Sequence, residues 1–131
     1  MTYRFARLYV DGGVLGRNPS KRGVYWSVRA ERKGMPPITV RKRSAAYSTN
    51  TDAEWLAVRE GLAFVLKYSL NDPVVIYSDS RLVVNQYNGR FAVNLPRHQA
   101  IKRECRELAA GLKFVAVQWR PREVMVRKLG H

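Results

Sequence analysis

From the N-terminus, Phe5 to Val10 alternates in strand-forming residues and ends on Asp11-Gly12-Gly13, where paired glycines permit positive φ and close backbone approach. The pattern predicts a strand that runs into a turn carrying Asp11. Asn18-Pro19-Ser20 and Gly23 are loop chemistry; beyond them, Val24 to Glu31 and Ile38 to Tyr47 read as two more strands around a Lys33-Gly34-Met35-Pro36-Pro37 connection. The first three strands should form a meander. The period then changes: Trp55, Leu56, Val58, Leu62, Val65 and Leu66 recur at helical spacing, with Thr51 or Asp52 as the cap and an end before Asn71-Asp72-Pro73.

Val74-Val75-Ile76-Tyr77 is almost wholly apolar, the mark of a strand buried on both faces, and it delivers Asp79 directly through Ser78-Asp79-Ser80. Arg81 to Tyr87 reads as a short helix stopped by Asn88-Gly89, Arg97 to Ala110 as a longer helix, and Phe114 to Trp119 as a last strand. The predicted order is βββαβααβ. A tail from Arg120 has room for little more than two helical turns. With 131 residues and no linker-like or repeated segment, one domain spanning residues 1–131 is expected.

Charge adds a partner to this picture. Lys and Arg number 24 against 10 Asp and Glu, a formal charge of +14, which points to a polyanion, nucleic acid first. A membrane is disfavoured, because no helical stretch is greasy on one face and cationic on the other, and nothing approaches the ~20 apolar residues of a span. Without a secretion-signal pattern at Met1 to Leu8, the chain is expected to be cytoplasmic. Cys105 is alone, and its neighbours Glu104 and Glu107 would not favour a thiolate, so it reads as a buried thiol. Trp26, Trp55 and Trp119 occupy regular positions in predicted elements, so core packing is favoured over base stacking.

Against this basic background three carboxylates stand out. Asp11 ends a strand beside two glycines, and Asp79 ends a buried strand before a helix, where open α/β sheets place ligand-binding groups. Glu54 lies in the first turn of the long helix, where the helix dipole alone would explain it, as turn formation would explain Asp11. A right-handed crossover through the Glu54 helix pairs the first strand and the Val74 strand in parallel, bringing the three into one pocket. Three clustered acids repel one another unless cations sit among them, and hard oxygen ligands select Mg²⁺ or Mn²⁺. A basic exterior around such a pocket suits phosphodiester hydrolysis with two ions.

Tyr9-Val10-Asp11-Gly12-Gly13, Thr49-Asn50-Thr51-Asp52-Ala53-Glu54 with Ala57 and Leu62, Tyr77-Ser78-Asp79-Ser80 with Val83-Val84-Asn85, Gln86-Tyr87-Asn88-Gly89-Arg90-Phe91 with Leu95, and Trp119-Arg120-Pro121-Arg122-Glu123 together resemble the type 1 ribonuclease H family. The likeness is to its compact branch, which lacks an extra basic protrusion. It implies an α/β fold with a mixed five-stranded sheet, order 3-2-1-4-5 with strand 2 antiparallel, flanked by helices. It also implies a monomer that cleaves the RNA of RNA:DNA hybrids by two-metal catalysis, leaving 3′-hydroxyl and 5′-phosphate ends. Asp11, Glu54 and Asp79 fall at the family's metal-binding carboxylates, Gly12, Gly13 and Asn50 where members touch RNA sugars, and Thr49 at a DNA-phosphate contact. Reading the 2′-hydroxyl through backbone and amide groups separates RNA from DNA without reading bases.

The C-terminus departs from the family. A fourth carboxylate is expected about ten residues past Trp119, where this chain has Leu129. His131 is a candidate substitute ligand, against the plain reading of an undocked chain end, while Glu123 reads as structural and His98 as a solvated helix-start residue. The missing acid leaves two alternatives open: a non-catalytic nucleic-acid-binding module of the same fold, or a related nuclease for double-stranded RNA or branched DNA.

Overall fold

The computed structural model describes residues 6–68 and 73–130. Five strands and four helices follow one another as β1 (Ala6–Val14), β2 (Val24–Arg32), β3 (Met35–Ser44), α1 (Asn50–Tyr68), β4 (Val74–Ser78), α2 (Arg81–Tyr87), α3 (Pro96–Ala110), β5 (Val115–Trp119) and α4 (Arg122–Leu129). The strands form one sheet in the order β3-β2-β1-β4-β5. β2 runs antiparallel to β1 and β3, whereas β1, β4 and β5 are parallel. This is the mixed sheet expected from the motifs.

Alternation along β1 assigns its two faces. Leu8 and Val10 join the main core with Trp55, Leu56, Val58 and Leu62 of α1, each such side chain contributing about 1.5–3 kcal/mol when fully buried. Tyr9 points the other way and packs with Tyr77, Met125 and Leu129, beneath α4. Both faces of the central strands are therefore covered, as the apolar run at Val74 requires.

Local chemistry moves several boundaries. The hairpin between β2 and β3 is confined to Lys33 and Gly34, with φ of 82° at Gly34. Pro36 and Pro37, expected in the connection, belong to β3 instead; as an outer strand of the sheet it tolerates residues that cannot donate. The cap of α1 is Thr49 rather than Thr51 or Asp52: Thr49 Oγ1 accepts from Asp52 N at 3.1 Å, and Asp52 Oδ2 accepts from Thr49 N at 3.0 Å. That reciprocal pairing satisfies two amides that a helix start leaves orphaned. α4 ends at Gly130 in the left-handed region, φ 78°, a conformation glycine adopts without strain. Phe5 and Asn71-Asp72 lie outside the described residues.

Candidate active site

Asp11 does not sit in a turn. β1 continues past it to Val14, because the ladder with β2 runs unbroken from Asp11↔Ser27 to Val14↔Val24. The glycines serve close packing instead. A Cβ on Gly12 would lie 2.4 Å from the carbonyl oxygen of Ala53, and one on Gly13 would meet the Tyr25 hydroxyl at 2.8 Å. Gly12 thus lets β1 approach the start of α1, which carries Glu54.

Parallel pairing of β1 with β4 ends in the register Val10↔Ser78, so Asp11 and Asp79 are next in line at the same end of the sheet. Asp79 is anchored from β5, where Trp119 Nε1 donates to its carbonyl oxygen at 3.1 Å. Its neighbour Ser80 caps α2, its Oγ accepting from Val83 N at 3.2 Å. Burial pushes the Glu54 carboxyl up to about 7; a hydrogen bond with Ser80 works against that rise, and the charges of Asp79 and Asp11 add to it. The three acids expected to cluster share one electrostatic environment.

A residue that no motif singles out as a ligand completes the pocket. Arg122, in the first turn of α4, places Nη1 2.6 Å from Asp11 Oδ2 and 3.1 Å from Asp79 Oδ2. Hydrogen bonding to Asp11 is the largest cause that holds this guanidinium above its usual range. Its position beyond Trp119 in the Pro121-Arg122-Glu123 segment was the available signal, since that segment leads back across the ends of β1 and β4. Leu129, at the place of the expected fourth acid, is 2% exposed and packed among Tyr9, Tyr77 and Met125. His131 lies outside the described residues.

Among the described residues, no three acidic, histidine or cysteine side chains are gathered as a ready-made metal cage. What the pocket presents is two carboxylates meeting at one cationic nitrogen, with a third carboxylate close enough to feel both. A cation is therefore accommodated between Asp11 and Asp79, and an all-oxygen donor set is the kind that hard divalent ions take. The chemistry of the donors fits Mg²⁺ or Mn²⁺, with Arg122 drawing on two of the same oxygens.

A second polar cluster lies at the start of α1. Asp52 is 1% exposed, and burial opposes its charge. Hydrogen bonds from Arg97 and His98, then from the amides of Ser48 and Thr49, outweigh that penalty and hold its carboxyl well below the usual range. His98, expected to be solvated, is buried at 3% exposure, with Nε2 2.5 Å from Asp52 Oδ1. The burial of His98 has a plain cause: α3 packs on α1, and a buried carboxylate there needs donors from both elements. Thr49, with Asn18, Asn94 and Arg97, lines the adjoining groove of about 820 Å³. Asn50 opens α1 beside it, its amide donating to Asn18 Oδ1 at 3.2 Å.

The geometry has counterparts. Residues 11–126 match the reverse transcriptase-like family. The chain belongs to that family. It is 30% identical over 112 residues to the bifunctional protein Rv2228c of Mycobacterium tuberculosis, covering 86% of this chain and 30% of that protein. The chain thus spans about a third of the length of this curated relative. Among solved structures, ribonuclease H1 of the halophilic archaeon Halobacterium salinarum superposes with a TM-score of 0.84 at 22% identity, covering 96% of this chain and 92% of that one. The N-terminal ribonuclease H domain of Rv2228c gives 0.82 at 22% identity over 95% and 87%. LC11 ribonuclease H1, solved in complex with an RNA/DNA hybrid, gives 0.83 at 20% identity over 95% and 91%. The fold of this reverse transcriptase-like chain is that of ribonuclease H, and the resemblance drawn from its motifs holds. No helix among the described residues is long and apolar enough to cross a membrane.

Proposed function

We propose that this chain is a metal-dependent endonuclease that hydrolyses the RNA strand of RNA:DNA hybrids and leaves 3′-hydroxyl and 5′-phosphate ends. The observation that carries the reading is the meeting of Asp11 and Asp79 at one cationic nitrogen, with Glu54 beside them. Membership of the reverse transcriptase-like family and a fold shared with a ribonuclease H1 solved on an RNA/DNA hybrid support the substrate class. The net charge of +14 supplies attraction for a duplex backbone.

In this reading Asp11, Glu54 and Asp79 hold two Mg²⁺ ions, or Mn²⁺ in their place. When bound, such ions activate a water and stabilise the leaving oxygen. The remaining work falls to the chain itself. β1 carries Asp11 and the end of the parallel neighbour β4 delivers Asp79 beside it, so little reorganisation accompanies substrate docking. Glu54 must give up its proton before it can serve as a ligand. Arg122, half-exposed, is in reach of a phosphate oxygen once it leaves the carboxylates. Gly12, Gly13 and Asn50 face the RNA sugars and Thr49 a DNA phosphate, which would let a monomer tell RNA from DNA without reading bases.

The test is Mg²⁺-dependent cutting of a labelled hybrid, with double-stranded RNA and branched DNA as competing substrates. Cleavage that persists in Asp79→Asn would sink the assignment. One observation favours a second reading. Leu129 is a core residue where a fourth acid was expected, which suits a non-catalytic module that binds hybrids in a salt-sensitive way and cuts nothing under any divalent ion.

A further inference from the structure

Beside Asp79, on the side away from β1, a second concave surface opens between α2 and the outer strand β5. It measures about 470 Å³, and Arg81, Asn85, Arg90, Gln118 and Trp119 line it over an apolar floor. The Arg81 guanidinium stacks on the Trp119 ring, 4.1 Å from its centre. Arg90 Nη1 donates to Asn85 Oδ1 at 2.8 Å. Among the described residues neither arginine pairs with a carboxylate, and no acid lines the groove. Two braced guanidinium groups and two side-chain amides thus face one cleft with their charge uncompensated.

The cleft adjoins the candidate active site at one end and the Thr49 groove at the other. Trp119, which carries Arg81, also donates to the Asp79 carbonyl. α2 separates the cleft from the larger groove that holds Thr49, and Arg90 borders both. A planar guanidinium matches the paired oxygens of a phosphate, and stacking on an aromatic ring reduces the rotamer entropy lost on binding. Arg81 lies over the half-buried Trp119 ring, which leaves less of that ring for a base to stack on. Two guanidinium groups with no carboxylate partner among the described residues suit the anionic phosphates of a backbone better than its bases.

We propose that the α2–β5 groove is a second phosphate-binding subsite, which grips the nucleic-acid backbone flanking the segment held over Asp11 and Asp79. Only the identity of the polyanion rests on the function proposed above. The groove adds length-dependent, sequence-independent affinity that is separable from hydrolysis.

Fluorescence anisotropy of the full chain with labelled hybrids over a range of KCl, with EDTA present to prevent cleavage, tests this directly. One hybrid should be long enough to leave the carboxylates on both sides, the other just long enough to cover them. Arg81→Gln with Arg90→Gln should weaken binding of the long hybrid roughly tenfold at moderate salt and lower the salt slope by about two, while the short hybrid changes little. Arg81→Lys with Arg90→Lys, which keeps the charges, should restore most of the slope. Arg127→Gln, an exposed change on α4, is the control for general charge, and thermal melts of each variant control for folding. An unchanged slope in the double Gln variant, or the same loss on long and short duplexes, overturns the proposal. If the wild-type chain ignores hybrids but binds another duplex with this groove dependence, the subsite stands and the hybrid reading falls.

Discussion

Glu54 shows how one residue can be costly to the fold and still have a use. Its carboxyl is pushed up to about 7 from 4.5, so the protonated form is favoured in the folded chain. The stability this gives is fully present below the unfolded value and is lost as pH rises through about 7. Glu54→Gln should therefore raise the melting temperature at pH 8 without divalent ions, by the equivalent of roughly 2 kcal/mol, and change little at pH 4. A variant less stable than wild type at pH 8 would contradict that assignment. Arg122 offers the complementary test. Because it shares oxygens of Asp11 and Asp79 with any bound ion, Arg122→Gln should tighten Mn²⁺ binding three- to tenfold by calorimetry, a modest effect because the guanidinium is half-exposed and screened. Weaker binding would mean that Arg122 helps to hold the ion site together.

At the scale of elements, the start of α1 depends on a carboxylate from within and donors from α3. Asp52 holds its charge because Arg97, His98 and two backbone amides donate to it. That contribution is present above the unfolded value of 3.8 and fades as pH falls towards the lowered folded value. His98→Ala should cost about 1–3 kcal/mol at neutral pH by leaving a buried acceptor short of a donor, read in urea unfolding. α4 is held differently: Met125 and Leu129 insert beneath the sheet, while Arg41 donates to the Leu129 carbonyl at 2.9 Å and Lys128 pairs with Glu31 at 2.9 Å. Leu129→Ala should cost about 2–4 kcal/mol. A near-neutral result would show that α4 is only loosely docked. The strands, α2 and α3 were legible because apolar period and Gly/Asn stops report burial directly, and the parallel joining of β1 to β4 because crossovers are right-handed. The turn at Asp11, the Pro36-Pro37 loop and the solvated His98 were misread. In each case a tertiary partner decides the outcome: β2 for Asp11, an outer position in the sheet for the prolines, and Asp52 for His98.

Across the whole molecule, a strongly basic surface surrounds an acidic notch at one end of a mixed sheet, with grooves on both sides of α2. The acidic trio was legible because each member has a local motif and the crossover fixes their proximity. Arg122 was not, because its role depends on where α4 returns across β1 and β4, over a hundred residues from Asp11 in sequence. Leu129 could be flagged as a departure but its burial could not. A nuclease and a binder share these features, and hydrolysis separates the two most directly. The measurement is the rate at which the purified chain cuts the RNA strand of a uniform hybrid in Mg²⁺, beside Asp79→Asn. Cleavage should need the divalent ion, yield 5′-phosphate ends and fall at least a hundredfold (about 2.7 kcal/mol of barrier) in the variant. Tight, salt-sensitive binding of the hybrid with no cleavage in Mg²⁺ or Mn²⁺ would contradict the proposed function.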